Sequence, residues 1–226
     1  SINTCLAYVA TEGGTSQYYE YIKKFGIGKL SNIDLGGEAW YPLAVPGDEF
    51  WSDSNLGRNA FGQSVSVSVV QLASAISSVA NDGKMMAPHV VKAVVDQGVQ
   101  YDTPLRVVSQ PIKAETAHTL SDMLAVSLEE EASNALVDGY RVAGKTGTAD
   151  IVIPGQGYTG ELTNASFVGW GPVDDPKFLI YVWLEEPRTD KWGSVIAAPV
   201  FSEAFKTVAQ LMNLPPDDIR KQTVSK

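Results

Sequence analysis

The rhythm of apolar and polar positions divides the chain into a helical first half and a second half rich in β-strand patterns. Residues 15–25, "TSQYYEYIKKF", place Tyr18, Tyr21 and Phe25 at helical spacing, and Gly26 and Gly28 end the run. From Gly36 to Gly62 the chain is rich in Gly, Pro, Asp, Asn and Trp without a sustained period, which predicts a surface loop held by a few aromatic anchors. In "SVSVVQLASAISSVANDGK", Val69, Leu72, Ala73, Ile76, Val79 and Ala80 fall on one helical face. Ser68 and Gln71 have the spacing of a capping box and Gly83 follows the end, so a well-delimited helix is expected.

"HVVKAVV" and "LRVVS" read as short strands around a polar turn, and "AETAHTLSDMLAVSLEEE" as a long helix burying Leu120, Leu124 and Leu128. Beyond it the period shortens. "YRVAGKTGTA", "NASFVGWG" and "KFLIYVWL" read as strands, the last two joined by the turn-forming "PVDDP". "APVFSEAFKTVAQLM" predicts a closing helix with Pro199 in its first turn and Phe201, Ala204, Phe205, Val208 and Leu211 facing inward. Helices, then antiparallel strands, then a helix predict an α+β fold, an antiparallel sheet flanked by helices. Residues 1–214 are expected to form the folded part and 215–226 a polar C-terminal tail.

Composition narrows the functional classes. A chain of 226 residues with 44% hydrophobic content can bury a substantial core. The net charge of −9, with no long run of Lys and Arg, disfavours nucleic acid as a partner. The single cysteine, Cys5, cannot form an intrachain disulfide and is expected to be a small buried hydrophobe. No apolar run approaches the roughly 20 residues of a membrane-spanning helix. His89 and His118 have no spaced partner residues that suggest a metal site. Glu129–Glu131 is read as a solvated helix end, and most of Trp40, Trp51, Trp170, Trp183 and Trp192 as buried anchors.

The candidate chemistry lies in "YRVAGKTGTAD". On an extended strand Thr146 and Thr148 share one side, while Gly147 leaves the flank bare for an approaching acyl group. Two hydroxyls suited to a carboxylate, the charge of Lys145 and a backbone N–H near Thr148 make an acyl-transfer site chemically feasible. A Lys-Thr-Gly triplet alone is a short motif, and an exposed structural strand accounts for it equally well. Its context is Ser1-Ile2-Asn3, the spacing of S-x-N, placed well upstream as in the signature set of penicillin-interacting enzymes. Taken alone, that serine and asparagine would read as helix caps.

With these motifs the chain resembles the class B penicillin-binding proteins, the peptidoglycan D,D-transpeptidases. The resemblance extends through "YYEYIKKFGIGKLSNIDLGGE", "FGQSVSVSVVQLASAISSVANDGKMMAPHVV", "GYRVAGKTGTA", "ASFVGWGPVDDPKF" and "AAPVF", from Ser1 to about Leu211. It implies the penicillin-binding protein and serine β-lactamase-like fold. By its motifs it implies Ser1 as a proton relay to the leaving group, Asn3 as a holder of the substrate amide and Lys145 as electrostatic support. Thr146, Gly147 and Thr148 become the substrate-binding strand, with the Thr148 N–H as half of an oxyanion hole. The implied ligands are the D-Ala-D-Ala stem peptide and β-lactams, and the implied place is the outer face of the bacterial cytoplasmic membrane, within a cell-wall synthesis complex. Trp192 and Gly193 precede "AAPVF" in a loop the family sets near its site.

One family element is missing. No serine in the chain is followed by lysine three positions later, so S-x-x-K is absent. Ser202, with Lys206 four positions on, reads as an ordinary helix residue. The opening "SINTCLAYVAT", without methionine or lead-in, suggests a chain cut from something longer. The expectation is an incomplete transpeptidase, inactive alone, whose nucleophile and remaining sheet strands come from an upstream piece of the same protein. A catalytically inert scaffold, or a β-lactamase or β-lactam sensor, are the alternatives. Smaller departures are Ser64 where the family usually has glycine, and Asp150 where it commonly has glutamine. "EEASN", Glu130 to Asn134, only superficially resembles a deacylation motif.

Overall fold

The computed structural model describes residues 2–224 and consists of two compact units, residues 1–117 and 118–226. The first unit is built mainly of helices: α1 (Asn3–Gly13), α2 (Thr15–Lys24), α3 (Asp53–Ala60) and α4 (Val69–Ser77). The capping box expected for α4 is present, with Ser68 Oγ accepting from the Gln71 N–H and the Gln71 side chain accepting from the Ser68 N–H. Helix α3 lies inside the stretch expected to be loop. Its sequence, DSNLGRNA, is too polar to show a stripe, yet Asn55, Leu56 and Asn59 are buried and Ser52 with Asn55 forms a second capping box.

Four short strands follow as two separate antiparallel pairs. Strand β1 (Met85–Met86) pairs with β4 (Val107–Ser109), and β2 (Ala93–Asp96) with β3 (Val99–Asp102). The two segments expected to flank one turn therefore have other partners. The β2–β3 hairpin turns on Gln97 and Gly98, both at positive φ, which matches a two-residue turn of the primed type. Cys5 is exposed rather than buried. It lies on the side of α1 opposite Ala7, the residue that approaches Gly57 of α3, and α1 buries none of its residues.

Helix α5 (Ala114–Glu131) leads into the second unit. Its buried stripe is Ala117, Ser121, Ala125 and Leu128, continued by Ala132, while Leu120 is exposed and Leu124 only half-buried. Of the three leucines expected on the buried face only Leu128 lies there, and small side chains fill the rest of it. Three long strands form one antiparallel sheet in the order β5 (Ala143–Ile153), β6 (Gly157–Gly171) and β7 (Phe178–Glu185). The expected β6–β7 turn is present, with the Lys177 N–H donating to the Gly171 carbonyl at 3.0 Å.

Short helix α6 (Gly193–Ile196) precedes α7 (Ala198–Leu211), which has a proline in its first turn. The core joins Phe201, Phe205 and Ala209 of α7 to Phe167 of β6, Val142, Leu128 and Ala132. Because this stripe recurs at 198, 201, 202, 205 and 209, Leu211 falls off it and is 77% exposed. The polar tail is helical: α8 (Asp217–Val224) is tied back by the Asp217 N–H to the Gly139 carbonyl, and the Asp217 carboxylate accepts from the Arg141 N–H.

Candidate active site

Strand β5 is an edge of its sheet, and its pairing with β6 sets the Lys-Thr-Gly-Thr segment residue by residue: Lys145 opposite Val168, Thr146 opposite Phe167, Gly147 opposite Ser166 and Thr148 opposite Ala165. Phe167 is fully buried against Phe201 at 4.7 Å between ring centroids, which fixes β6 and so the strand beside it. Thr148 is exposed while Lys145, Thr146 and Gly147 are half-buried.

The Lys145 ammonium folds back along the strand and donates to Thr146 Oγ1 at 3.2 Å and to the Thr146 carbonyl at 3.3 Å. Ser127, Leu128, Glu131 and Ala132 at the end of α5 line a small cleft with Gly144, Lys145 and Thr146. Burial there pushes the Lys145 pKa below its ordinary value, and the negative charge of Glu131 opposes that shift. A cation so placed loses water contacts and gains field strength toward an anion at the strand edge.

Two glycines make the close approach feasible. A Cβ on Gly147 would lie 2.5 Å from Ser166 Oγ, so the bare flank expected to admit an acyl group is already needed to accommodate the neighbouring strand's hydroxyl. On Gly193, a Cβ would lie 2.3 Å from the Ser166 carbonyl oxygen and 2.6 Å from that of Gly147. The Gly193 N–H donates to Thr148 Oγ1 at 3.3 Å. The loop ahead of α6 is thereby packed directly against the Gly147–Thr148 edge. Trp192, exposed at that corner, has its own N–H bound to the Asp190 carboxylate at 2.9 Å.

Lys145, Thr146, Gly147 and Thr148 are thus brought together in the second unit. Asn3 belongs to the first unit, where it opens α1; the residue in the capping position is Ile2, with no side-chain cap. Ser1 lies outside the described residues. Ser202 is a helix residue, as expected, its Oγ donating to the Leu136 carbonyl at 2.8 Å. The sequence reading did not single out Ser166, Glu131 as a neighbour of Lys145, or Tyr181, whose burial raises its pKa and whose hydroxyl bonds Ser166. Ser166 is recognisable only once the register places it opposite Gly147.

Of the tryptophans only Trp170 is fully buried; Trp40, Trp183 and Trp192 are exposed, so burial anchors fewer of them than expected. Trp40 is instead held by its indole N–H, which donates to the Gly28 carbonyl at 2.8 Å. Ser64, at the position where glycine was noted as usual, adopts φ +59°, a conformation that favours glycine. No cluster of His, Cys, Asp and Glu able to hold a metal occurs among the described residues, and no helix among them is long and apolar enough to cross a membrane.

An edge strand bearing Lys-Thr-Gly-Thr, braced by a buried aromatic core and closed by a glycine corner, makes up the candidate site. The chain belongs to the penicillin-binding protein transpeptidase domain family, which matches residues 1–206, and within it to the class B members. It is 32% identical over 227 residues to penicillin-binding protein PbpB of Mycolicibacterium smegmatis, covering 95% of this chain and 35% of that protein. Stage V sporulation protein D of Bacillus subtilis is also 32% identical, over 94% of this chain and 33% of its own length. Penicillin-binding protein 3 of Mycobacterium tuberculosis, solved in complex with aztreonam, superposes with a TM-score of 0.83 at 29% identity. That match covers 95% of this chain and 50% of the solved chain. The fold is therefore that of the penicillin-binding transpeptidases, and the chain spans about a third of the length of these curated relatives.

Proposed function

We propose that the chain supplies the substrate-binding wall of a serine D,D-transpeptidase that cross-links peptidoglycan stem peptides and is acylated by β-lactams. The observation that carries this reading is the Lys145–Thr148 edge, with a half-buried ammonium bonded to Thr146 and with Gly193 closed against Thr148. In it Thr146 and Thr148 bind the terminal carboxylate of the donor peptide or β-lactam, and Lys145 holds that charge. The Thr148 N–H stabilises the oxyanion of the tetrahedral intermediate, where a positioned donor contributes roughly 10²–10³ in rate. Asn3 orients the substrate amide and Ser1 relays a proton to the leaving group.

The nucleophile is a serine outside these 226 residues, since none here heads an S-x-x-K. The reaction is ping-pong: that serine's oxygen attacks the penultimate D-Ala carbonyl, D-Ala leaves with a proton, and an acceptor amine then takes the acyl group. No cofactor enters. The working protein acts at the outer face of the bacterial cytoplasmic membrane in a cell-wall synthesis assembly, and residues 1–214 serve as the C-terminal part of its transpeptidase domain.

Intact mass spectrometry with and without benzylpenicillin tests this. The expected result is no adduct on this chain and a penicilloyl adduct on a companion segment carrying S-x-x-K, formed at least about a hundredfold more slowly with Lys145→Ala. An adduct on this chain itself would overturn the assignment of the nucleophile. A correctly folded, complete protein with S-x-x-K that takes no adduct would favour the inert scaffold.

A further inference from the structure

Wholly inside the first unit, α2, the loop after it, α4 and the β1–β4 pair line a cavity of about 480 Å³. That is the size range of sites that take a small ligand or a few residues of peptide. Its apolar lining is Phe25, Leu30, Met85, Met86 and Val108, with two unbranched methionines that adapt to irregular shapes. Its charged lining is lopsided: Lys23, Lys24, Lys29 and Arg106 against the single carboxylate of Glu20. Glu20 is taken by Lys24 at 2.6 Å, and no ion pair with a described residue engages Lys23, Lys29 or Arg106. In a chain of net charge −9, such a concentration of cations around one concavity is the reverse of the average surface.

The walls are pinned in place. The Gln71 amide donates to the Lys29 carbonyl, and Ser109 Oγ donates to the Lys24 carbonyl at 2.9 Å. The Glu38 carboxylate accepts from the N–H groups of Ser31 at 2.6 Å and Asn32 at 3.0 Å. A Cβ at Gly26, which has positive φ, would lie 3.1 Å from Met85 Cε, so the α2 end and β1 are in close contact. The cavity therefore exists without a ligand to shape it, which lowers the ordering cost of binding.

The geometry points to this cavity as a docking site for an acidic peptide segment that inserts a bulky apolar side chain. Charge complementarity selects the acid, and the Phe, Leu and Met lining selects the anchor. A compact phosphate suits it less, because the rim amides of Ser31 and Asn32 already serve Glu38 and three of the four cations are flexible lysines, point charges rather than planar forks. A flat anionic membrane suits it less as well, since the cations surround a concavity.

The experiment is a fluorescence-anisotropy titration of the protein with fluorescein-labelled Gly-Asp-Glu-Leu-Phe-Glu-Asp. Controls are its Asn/Gln counterpart, the same acidic peptide with Ser for Leu-Phe, excess inorganic phosphate, and phosphatidylglycerol vesicles. Saturable binding that weakens at least about tenfold for either altered peptide, and in the combined variant Lys23→Gln, Lys29→Gln and Arg106→Gln, supports the site. These side chains are exposed, and circular dichroism verifies that the variant keeps its fold. Equal binding of the neutral peptide, or by the variant, overturns it. Displacement by phosphate reassigns the cavity to a compact anion, and vesicle binding lost in the variant reassigns it to lipid; either also overturns the proposal. Penicillin acylation of the complete protein is expected to be unchanged by the triple variant, so failure here and failure of the transpeptidase reading give separate results.

Discussion

In the second unit Phe167, Phe201 and Phe205 have no exposed surface, and Phe178 and Tyr140 tilt against Phe205 at 4.7 and 5.5 Å. The first unit is held differently. There Tyr19 is buried on α2, and its hydroxyl accepts from the Trp51 indole N–H at 2.9 Å and pairs with the Asn59 amide at 2.9 Å. With the Asn59 oxygen turned toward Tyr19, the amide nitrogen also reaches the carbonyls of Gln63 and Asn55. Carboxylates do similar work on loops, Asp34 accepting from the N–H groups of Val90 and Val91 at 2.7 and 2.8 Å. One unit is stabilised by area removed from water, the other more by directed bonds between side chains and backbone. The first mode resists small errors of angle; the second loses whole contacts when one partner is removed.

The contrast is sharpest at Gly193. Gly193→Ala has no flexible side chain to displace and must push α6 from the β5 edge. Acylation by benzylpenicillin in the complete enzyme is expected to fall at least about a hundredfold, the typical cost of a misplacement near 1 Å. Stopped-flow acylation rates would show it, and a near wild-type rate would mean that the corner does not position the strand. Next in size, Phe201→Ala should cost about 3–5 kcal/mol in a denaturant titration of the second unit, because the cavity would open at its centre.

Tyr19→Phe keeps the ring and removes only the hydroxyl. It is expected to cost about 1–3 kcal/mol, read in the transition of the first unit, by leaving Trp51 and Asn59 without that partner. An unchanged midpoint would break the distinction drawn between the units. The smallest effect concerns Tyr18, whose pKa is pushed up to about 12 by burial, with Tyr19 adding to the rise. A raised pKa means that the folded chain keeps a proton which the unfolded chain releases. The stability linked to Tyr18 is thus complete below about pH 10 and lost as pH climbs toward 12. Tyr18→Phe should flatten that alkaline slope in equilibrium unfolding.

Features decided by neighbours in sequence were legible in it. The Ser68–Gln71 box, the span of α5, the three strands of the sheet and the β6–β7 turn all follow from local period and turn chemistry. Pairings set by distant contacts were not, and so β1 with β4 and β2 with β3 differ from expectation. On α5 the expected Leu128 is buried, but Ala117, Ser121 and Ala125 take the rest of the buried face in place of Leu120 and Leu124, a choice set by what packs against the helix rather than by its own period. In the site, Lys145 to Thr148 were readable as a motif, whereas Ser166 and Glu131 come from other elements and carry no spacing signal. The basic cavity was hidden for the same reason: Arg106 joins Lys23, Lys24 and Lys29 only through the fold.

The C-terminal helix α8 gives the Lys-Thr-Gly strand a root. Arg141, two residues ahead of β5, is gripped on one side by the Asp217 carboxylate and on the other by the Val173 N–H bonded to its carbonyl. Arg220 closes the grip by bridging Asp217 at 3.0 Å and Asp174 at 2.6 Å, its side chain only 13% exposed. The turns of α8 thus act as a clasp on the start of the Lys-Thr-Gly strand. A displacement of α8 would therefore reach the start of the Lys145–Thr148 strand through a few directed bonds rather than through the apolar core.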